Sequence, residues 1–180
     1  MLTVMIRSGS NSLVVRPLAP VDADRVRALF LAGMRSMKPL LPNDVAHTDL
    51  EGYLGKVLAT DMADPFKHYI ASGNRSGFWV ADLNSEVVGT VGIYPQVSEP
   101  DIAEVFRVSV DERHRKLGIA GQLMDKAESW SVEQGFSELM LHTTEYLPAA
   151  HRLYENRGYS LAKRLQFGQI QGREYRKLLV

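Results

Sequence analysis

Basic residues and glycines with the potential to bind phosphate are concentrated in one short stretch of the chain. Arg113, Arg115 and Lys116 carry positive charge, and Gly118 and Gly121 follow directly. Glycine has no Cβ, so it lets the main chain approach a ligand closely. Cationic side chains beside free main-chain N–H groups attract phosphate. The stretch therefore predicts a site for a phosphate-bearing ligand.

This basic stretch lies between a predicted strand and a predicted helix. Residues 102–110 are rich in β-branched and aromatic side chains, which is typical of a strand. After the basic residues, apolar side chains recur with the spacing of an amphipathic helix, at Ile119, Leu123, Met124, Ala127 and Trp130. The first N–H groups of a helix have no intrahelical acceptor, and the helix dipole adds partial positive charge there. A strand, a basic loop and a helix N-terminus in this order favour anion binding.

Composition limits the classes of function. The 180 residues are 45% apolar and 23% charged, which suffices for one domain with a full core. Basic and acidic residues number 21 each, and such a balance argues against nucleic-acid binding. The sequence has no cysteine, which excludes disulfides, thiolate metal sites and a cysteine nucleophile. We see neither a membrane-spanning apolar run nor the apolar core of a signal peptide, so we expect a cytoplasmic protein without a membrane partner.

The order of the predicted elements indicates one mixed domain. We predict a flexible tail at residues 1–11 and a single domain at residues 12–180. Strands are predicted at 13–18 (an edge strand), 77–83, 86–94, 102–110, 139–143, 161–167 and 174–179, and helices at 22–36, from 49 onward, from 119 to 135 and from 148 to 158. A strand–helix–strand unit over 102–143 predicts a parallel crossover. The expected fold class is α/β (α+β), a mainly antiparallel sheet of six to seven strands with a central parallel βαβ unit and about four helices. Residues 62–75 give no clear pattern.

Two segments resemble a known family. Arg115-Lys116-Leu117-Gly118-Ile119-Ala120 resembles the Gln/Arg-x-x-Gly-x-Gly/Ala signature of the GNAT superfamily of N-acetyltransferases. Ala-His-Arg-Leu-Tyr-Glu-Asn-Arg-Gly-Tyr at residues 150–159 is similar to that superfamily's Ala-x-x-Leu-Tyr-x-x-x-Gly-Phe segment. The predicted hairpin at 77–92 also resembles its second and third strands. The resemblance extends over residues 12–180 and is weakest at 36–75.

The resemblance implies acetyl-CoA as a co-substrate. In relatives, main-chain groups of the fourth strand contact the pantetheine arm, and amides of the following loop bind the pyrophosphate. The corresponding positions are Val108, Ser109 and Val110 on the strand, and Arg115, Lys116, Leu117, Gly118, Ile119, Ala120 and Gly121 on the loop and helix start. One departure is Leu147, where many relatives carry an asparagine that contacts the cofactor. Arg113 and His114 are either further phosphate contacts or solvated loop charges.

The resemblance also implies two catalytic residues, and each has a structural alternative. Glu104 occupies a strand position where many members carry the general base, and Tyr154 matches the tyrosine that protonates the departing thiolate. The alternatives are a solvated strand carboxylate for Glu104 and a core tyrosine with a satisfied hydroxyl for Tyr154. A main-chain amide, that of Val108 or Val110, would polarise the thioester carbonyl. Even spacing places Glu104, Phe106, Val108 and Val110 on one face of the strand unless a bulge intervenes.

The function implied is an acetyl-CoA-dependent N-acetyltransferase that acts on a primary amine of a small molecule or a peptide. The alternative is a non-catalytic acyl-CoA-binding module of the same fold. Tyr94, Phe66 and Tyr69 are candidates for lining an acceptor pocket. His142 and His151 have no carboxylates at metal-ligand spacing, so we assign them to packing and expect no metal. The resemblance leaves a homodimer open.

Overall fold

The computed structural model describes residues 12–179, and the predicted tail at 1–11 lies outside the described residues. Within this range seven strands form one sheet, accompanied by five α-helices. The elements are β1 Leu13–Pro17, α1 Ala23–Arg35, α2 Asp44–Ala59, α3 Pro65–Tyr69, β2 Gly77–Leu83, β3 Glu86–Pro95, β4 Ile102–Val110, α4 Ile119–Glu133, β5 Glu138–Thr144, α5 Pro148–Asn156, β6 Ser160–Phe167 and β7 Ile170–Leu178.

The strands lie side by side in the order β1-β2-β3-β4-β5-β7-β6. β4 and β5 are parallel and are joined through α4, whereas the other neighbouring strands of the described sheet are antiparallel. β1 lies at one edge, as its short, proline-bounded sequence predicts. The mixed, mainly antiparallel sheet with a central βαβ unit is thereby confirmed.

Side chains alternate between two apolar clusters, one on each face of the sheet. On β2, Trp79 packs in a cluster with residues of α4 and α5, which we call the α4 face. Its neighbour Phe78 packs in a cluster with residues of α1, α2 and α3, which we call the α1 face. This alternation is the period of two expected of a strand that is buried on both sides. The helices before β2 and those after β4 therefore cover opposite faces.

The predicted elements agree closely with the structure, and β2 and β4 have the predicted bounds. The predicted start of α2 at Asp49 is wrong, because the helix begins at Asp44, where the Asn43 side chain caps its first turn. α3 is an additional short helix in the stretch 62–75, where Asp64 is the cap. Five residues contain too few turns to give a periodic pattern, which is why the sequence did not indicate this helix.

β4 and β5 are paired over a short distance and then separate. Their ladder runs from the pair Ile102–Glu138 to the pair Val105–Leu141. Beyond it, within the described residues, β4 is paired with β3 alone and β5 with β7 alone. We call the gap between residues 106–110 and residues 142–144 the fork. Main-chain groups of β4 that point into the fork have no strand partner there.

Candidate active site

The basic loop between β4 and α4 leaves its main chain open to a ligand. Lys116 and Gly118 have φ values of 66° and 76°, and this left-handed geometry leads the chain into α4. A Cβ built on Gly118 or Gly121 would have no heavy atom within 4 Å. The first N–H groups of α4 have no intrahelical acceptor. The loop thus offers donors and open space, an arrangement that suits phosphate.

The three cations of the loop differ in their surroundings. Arg115 and Lys116 are exposed and form no ion pair within residues 12–179. Arg113 instead contacts Asp111 at 2.9 Å and Glu86 at 2.7 Å. Hydrogen bonds from Arg113 hold the pKa of the Asp111 carboxyl well below its usual value. Arg113 is therefore an exposed loop charge that is already paired with two carboxylates, unlike Arg115 and Lys116.

A pocket of about 280 Å³ opens beside this loop, between α1 and the end of β4. Its wall includes Arg25, Val110 and Arg115. α1 approaches β4 closely here, since a Cβ on Gly33 would lie 3.4 Å from Ser109 Oγ. Val110 borders both the pocket and the fork, so the loop, the pocket and the fork adjoin one another.

A β-bulge at Arg107 interrupts β4. Thr90 of β3 is opposite Ser109, whereas Gly92 is opposite Phe106, so β4 has one more residue than β3 between these pairs. Arg107 has a φ of 55°, and the Thr90 hydroxyl donates to its carbonyl at 2.6 Å. Because of the extra residue, the side chains of β4 that follow Arg107 point to the face opposite to the one expected from simple alternation.

The bulge overturns the expectation that Glu104, Phe106, Val108 and Val110 share one face. Val108 and Val110 pack against the α4-face cluster, to which Val105 also belongs. Glu104 precedes Val105 and so points to the opposite, α1 face. The extra residue shifts the alternation, and the even spacing therefore does not hold across Arg107.

The Arg107 side chain connects the bulge to the segment that follows α2. Its Nε and Nη2 each donate to Asp61 at 2.8 Å, and its Nη1 donates to the Tyr53 hydroxyl at 2.8 Å. The Tyr69 hydroxyl donates to the same carboxylate at 2.7 Å. Burial by itself would raise the pKa of Asp61, but the hydrogen bonds and charge of Arg107 lower it below its usual value. The sequence separates these residues widely and gave no indication of this network.

Glu104 is buried and hydrogen-bonded at both carboxylate oxygens. Gln96 Nε2 donates to Oε2 at 2.7 Å, and Nδ1 of His142 lies 2.7 Å from Oε1. The side chain is 10% exposed. A solvated strand carboxylate does not fit these contacts, because both oxygens are hydrogen-bonded and the side chain has a fixed orientation.

His142 lies between two carboxylates in a row that crosses three strands. Its Nδ1 contacts Glu104 on β4, and its Nε2 lies 3.4 Å from Glu174 Oε2 on β7. Arg176 Nε donates to the other Glu174 oxygen at 2.8 Å. The hydrogen bond with Glu104 raises the pKa of the imidazole, and the contact with Glu174 adds to that effect.

Tyr154 lies on α5 within the α4-face cluster and is 6% exposed. Its ring centroid is 5.9 Å from that of Tyr159 and 6.1 Å from that of Tyr175. Burial raises the pKa of the phenol, so the hydroxyl stays protonated at neutral pH. In the described part of the chain no side-chain or main-chain group forms a hydrogen bond with the hydroxyl. Glu104 and Tyr154 are not in contact, since they belong to opposite faces of the sheet.

The three aromatic residues considered for an acceptor pocket differ in exposure. Tyr69 is 1% exposed and binds Asp61, so it belongs to the core. Tyr94 is partly exposed, stacks on His68 at 4.9 Å and lies opposite Glu104 in the β3–β4 register. Phe66 is partly buried against the α1-face cluster. Of these three residues, Tyr94 is the one that lies beside Glu104.

The sequence did not indicate that the side chains around Glu104 belong to one site; these are Gln96, His142 and Glu174. Alternation with Leu139 and Leu141, which face α4, already assigns His142 to the α1 face. The sequence does not indicate that β7 pairs with β5, which brings Glu174 opposite His142. His151 is separate, since its Nε2 contacts the Thr144 carbonyl at 2.8 Å.

Residues 12–179 contain no group of three or more His, Cys, Asp or Glu side chains arranged to hold a metal ion. None of their helices has the length and apolar character needed to cross a bilayer.

Comparison with known sequences identifies similar proteins. Residues 43–159 match the model of the acetyltransferase (GNAT) family. The chain is 38% identical to N-acetyltransferase 8 of Rattus norvegicus over 112 residues, which cover 61% of this chain and 50% of that protein. It is 37% identical to N-acetylaspartate synthetase of Homo sapiens over 143 residues, which cover 71% of this chain and 46% of that protein. The chain spans about half the length of these curated relatives.

Solved structures share the fold. A GNAT-family acetyltransferase from Staphylococcus aureus superposes with a TM-score of 0.74 at 20% identity, covering 94% of this chain and 100% of that chain. The PaiA N-acetyltransferase from Thermoplasma acidophilum, solved in complex with coenzyme A, gives a TM-score of 0.68 at 14% identity, with coverage of 91% and 98%. At these identities the likeness concerns the fold.

Proposed function

The chain belongs to the GNAT acetyltransferase family, and we propose that it is an acetyl-CoA-dependent N-acetyltransferase that acts on a primary amine of a small molecule or a peptide. The observation that carries this proposal is the fork between β4 and β5, which adjoins the basic loop. An acyl-CoA has an extended arm with amide groups and, beyond it, a pyrophosphate. The unpaired main-chain groups of β4 can bind such an arm as a neighbouring strand would.

The residues proposed to hold the co-substrate fall into two groups. Val108, Ser109 and Val110 provide main-chain groups along the fork. The loop and the helix start provide N–H donors, and Arg115 and Lys116 add positive charge. Each hydrogen bond to a charged group contributes about 1.5–3 kcal/mol, so several together give useful affinity. Leu147, where relatives carry an asparagine, packs against the α1-face cluster and offers an apolar surface instead.

Glu104 is the proposed general base. An amine with a pKa of about 10.4 is mostly protonated at pH 7, and the neutral form costs about 4.6 kcal/mol. Removing a proton toward Glu104, directly or through a water molecule, offsets part of that cost. When bound, the co-substrate supplies the thioester carbon that the amine nitrogen attacks. Gln96 and His142 orient the carboxylate for this task.

Tyr154 is the proposed general acid. The C–S bond breaks as the C–N bond is completed, and the departing thiolate takes a proton. A phenol that burial keeps protonated has that proton to give. Its hydroxyl has no partner among the described residues to compete for the proton. The main-chain N–H of Val108 or Val110 is proposed to stabilise the oxyanion.

Two observations bear on the class of amine that accepts the acetyl group. One relative is named for N-acetylaspartate, an acetylated amino acid, which makes amino acids a reasonable first group of acceptors. Glu104 and Glu174 place negative charge on the α1 face, which attracts an ammonium group. Peptide amines remain part of the proposal.

The experiment is a thiol-release assay with acetyl-CoA across a panel of amino acids, polyamines and peptides. Glu104→Gln serves as the matched inactive variant, because it keeps the shape and changes the charge. Acetylated product in the wild type, lost with Glu104→Gln, supports the proposal. Acetyl-CoA binding without turnover on any amine would instead favour a non-catalytic acyl-CoA-binding module.

A further inference from the structure

Acetylation of an ammonium substrate releases one proton that the active site must deliver to solvent. The nitrogen gives up two protons as it becomes an amide. The leaving thiolate takes one of them, and the second reaches water. Glu104, as the proposed base, receives a proton in each cycle, yet its side chain is 10% exposed. A buried base therefore needs a route by which it loses the proton again.

His142 has the geometry for such a route. Its Nδ1 is 2.7 Å from Glu104 Oε1, within hydrogen-bond distance. Its side chain is 32% exposed, about three times the fraction for Glu104. The imidazole therefore contacts the buried carboxylate and is itself partly exposed to solvent.

Within residues 12–179, the other side chains bonded to Glu104 and His142 are poorly suited to take up this proton at neutral pH. From the segment after β3, Gln96 donates to Glu104, and an amide does not titrate near neutral pH. From β7, Glu174 faces the imidazole Nε2, and Arg176 binds Glu174 and keeps its own charge. Hydrogen bonds from Arg176 and His142 lower the pKa of Glu174, against the effect of its burial. Glu174 thus stays ionised and stabilises a positive imidazole.

We propose that His142 is a proton carrier that regenerates Glu104 after each transfer. The proton on the Glu104 carboxyl moves to the imidazole Nδ1, which forms an imidazolium between two carboxylates. The imidazolium then loses its Nε2 proton to water, and a water-mediated shift of the remaining proton from Nδ1 to Nε2 resets the imidazole beside an ionised Glu104. No oxidant or further reactant is needed. This inference rests on the proposed function, because Glu104 receives a proton only if the chain acetylates amines.

The raised pKa of His142 is consistent with this role. An unperturbed imidazole has a pKa of about 6.5, and the hydrogen bond with Glu104 raises it, so the ring takes up a proton more readily than a free imidazole. Groups that titrate near the working pH exchange protons most effectively.

The substitution His142→Asn distinguishes a proton carrier from a residue that only orients Glu104. In His142→Asn, the side-chain amide can still donate to Glu104 near the position of Nδ1, but it cannot carry a proton. If His142 only orients Glu104, the asparagine variant keeps its activity. If it carries the proton, kcat falls, and a small diffusible base can replace it.

The test measures kcat for wild type and His142→Asn with and without added imidazole. We expect a fall of about 10–100-fold in His142→Asn, with an unchanged KM for acetyl-CoA and a recovery that rises with imidazole concentration. Wild type and Glu104→Gln should not respond to imidazole, the latter because it has no carboxyl to regenerate. An unchanged kcat in His142→Asn, or a loss that imidazole does not restore, overturns the carrier role.

A second measurement does not depend on turnover. An NMR titration of the His142 imidazole should give a pKa above the ordinary value in wild type and a lower one in Glu104→Gln. An imidazole that titrates identically in both proteins overturns the carrier role even in an active enzyme. Wild-type protein that acetylates no amine overturns the proposed function itself, whatever the titration gives.

Discussion

Arg107 and Asp61 form a two-pronged ion pair that connects the bulge of β4 to the segment after α2. The two side chains are 9% and 10% exposed, so the pair is buried. It links β4, the strand proposed to hold the co-substrate, with the segment between α2 and α3. The bulge beside the fork is therefore tied to the helices of the α1 face.

Breaking this pair should destabilise the protein strongly. Asp61→Asn leaves the Arg107 charge buried without its counterion, and we expect a loss of about 3–5 kcal/mol in the free energy of unfolding. Urea denaturation measures the change. The control is Glu51→Gln, which removes an exposed partner of Arg35 and should cost far less, because solvent screens that pair. Equal costs for both variants would show that the buried pair contributes little.

Tyr154→Phe should lower kcat by about 10–100-fold and leave stability nearly unchanged. The hydroxyl has no hydrogen-bond partner among the described residues, so its removal leaves no donor or acceptor unsatisfied. Tyr159→Phe is a matched control, since its ring contacts Tyr154 and its hydroxyl likewise forms no hydrogen bond within residues 12–179. Steady-state kinetics and thermal melts separate the two effects. A normal kcat in Tyr154→Phe would remove the phenol from the mechanism.

Gly121→Glu should weaken acetyl-CoA binding more than tenfold, while Gly121→Lys should not. Open space surrounds the missing Cβ, so both side chains fit without displacing protein atoms. A negative charge beside the helix N-terminus repels a pyrophosphate, and a positive charge attracts it. Loss of one charge-assisted hydrogen bond, about 1.5–3 kcal/mol, corresponds to at least this change in Kd. Isothermal titration calorimetry with coenzyme A measures it, and equal affinities would refute the loop as the phosphate site.

The stabilising contribution of His142 should decrease as pH rises. The folded protein raises the pKa of this imidazole, chiefly through Glu104, so it favours the protonated form. The contribution is complete below the unfolded value of about 6.5 and is lost as pH rises through the higher folded value. Urea denaturation of wild type and His142→Asn should therefore differ more at pH 6 than at pH 9. A difference independent of pH would contradict the charged contact with Glu104 and Glu174.

Local sequence patterns were sufficient to predict much of the fold and the basic loop of the candidate site. β2 and β4 have their predicted bounds, because both are apolar runs bordered by turn residues. The loop at 115–121 could be identified because its charges, its glycines and its helix start are contiguous in the chain.

The other half of the site depends on pairing between distant strands. Glu104, His142 and Glu174 meet because β5 lies between β4 and β7, an order that no local pattern encodes. The contact between Arg107 and Asp61 likewise joins residues far apart in the chain. The bulge was foreseen as a possible exception, but its position becomes visible only in the register with β3.

The brief ladder between β4 and β5 also has a mechanical meaning. It joins two half-sheets by four residue pairs, whereas β5 and β7 share seven. Short ladders open readily in local fluctuations, so we expect the pairing of β4 with β5 to be the least stable in the described sheet. An extended molecule in the gap would add hydrogen bonds to the strand it lies beside and stiffen the junction. One strand's width is missing between the separated ends of β4 and β5, and the proposed co-substrate would fill that place as an added strand.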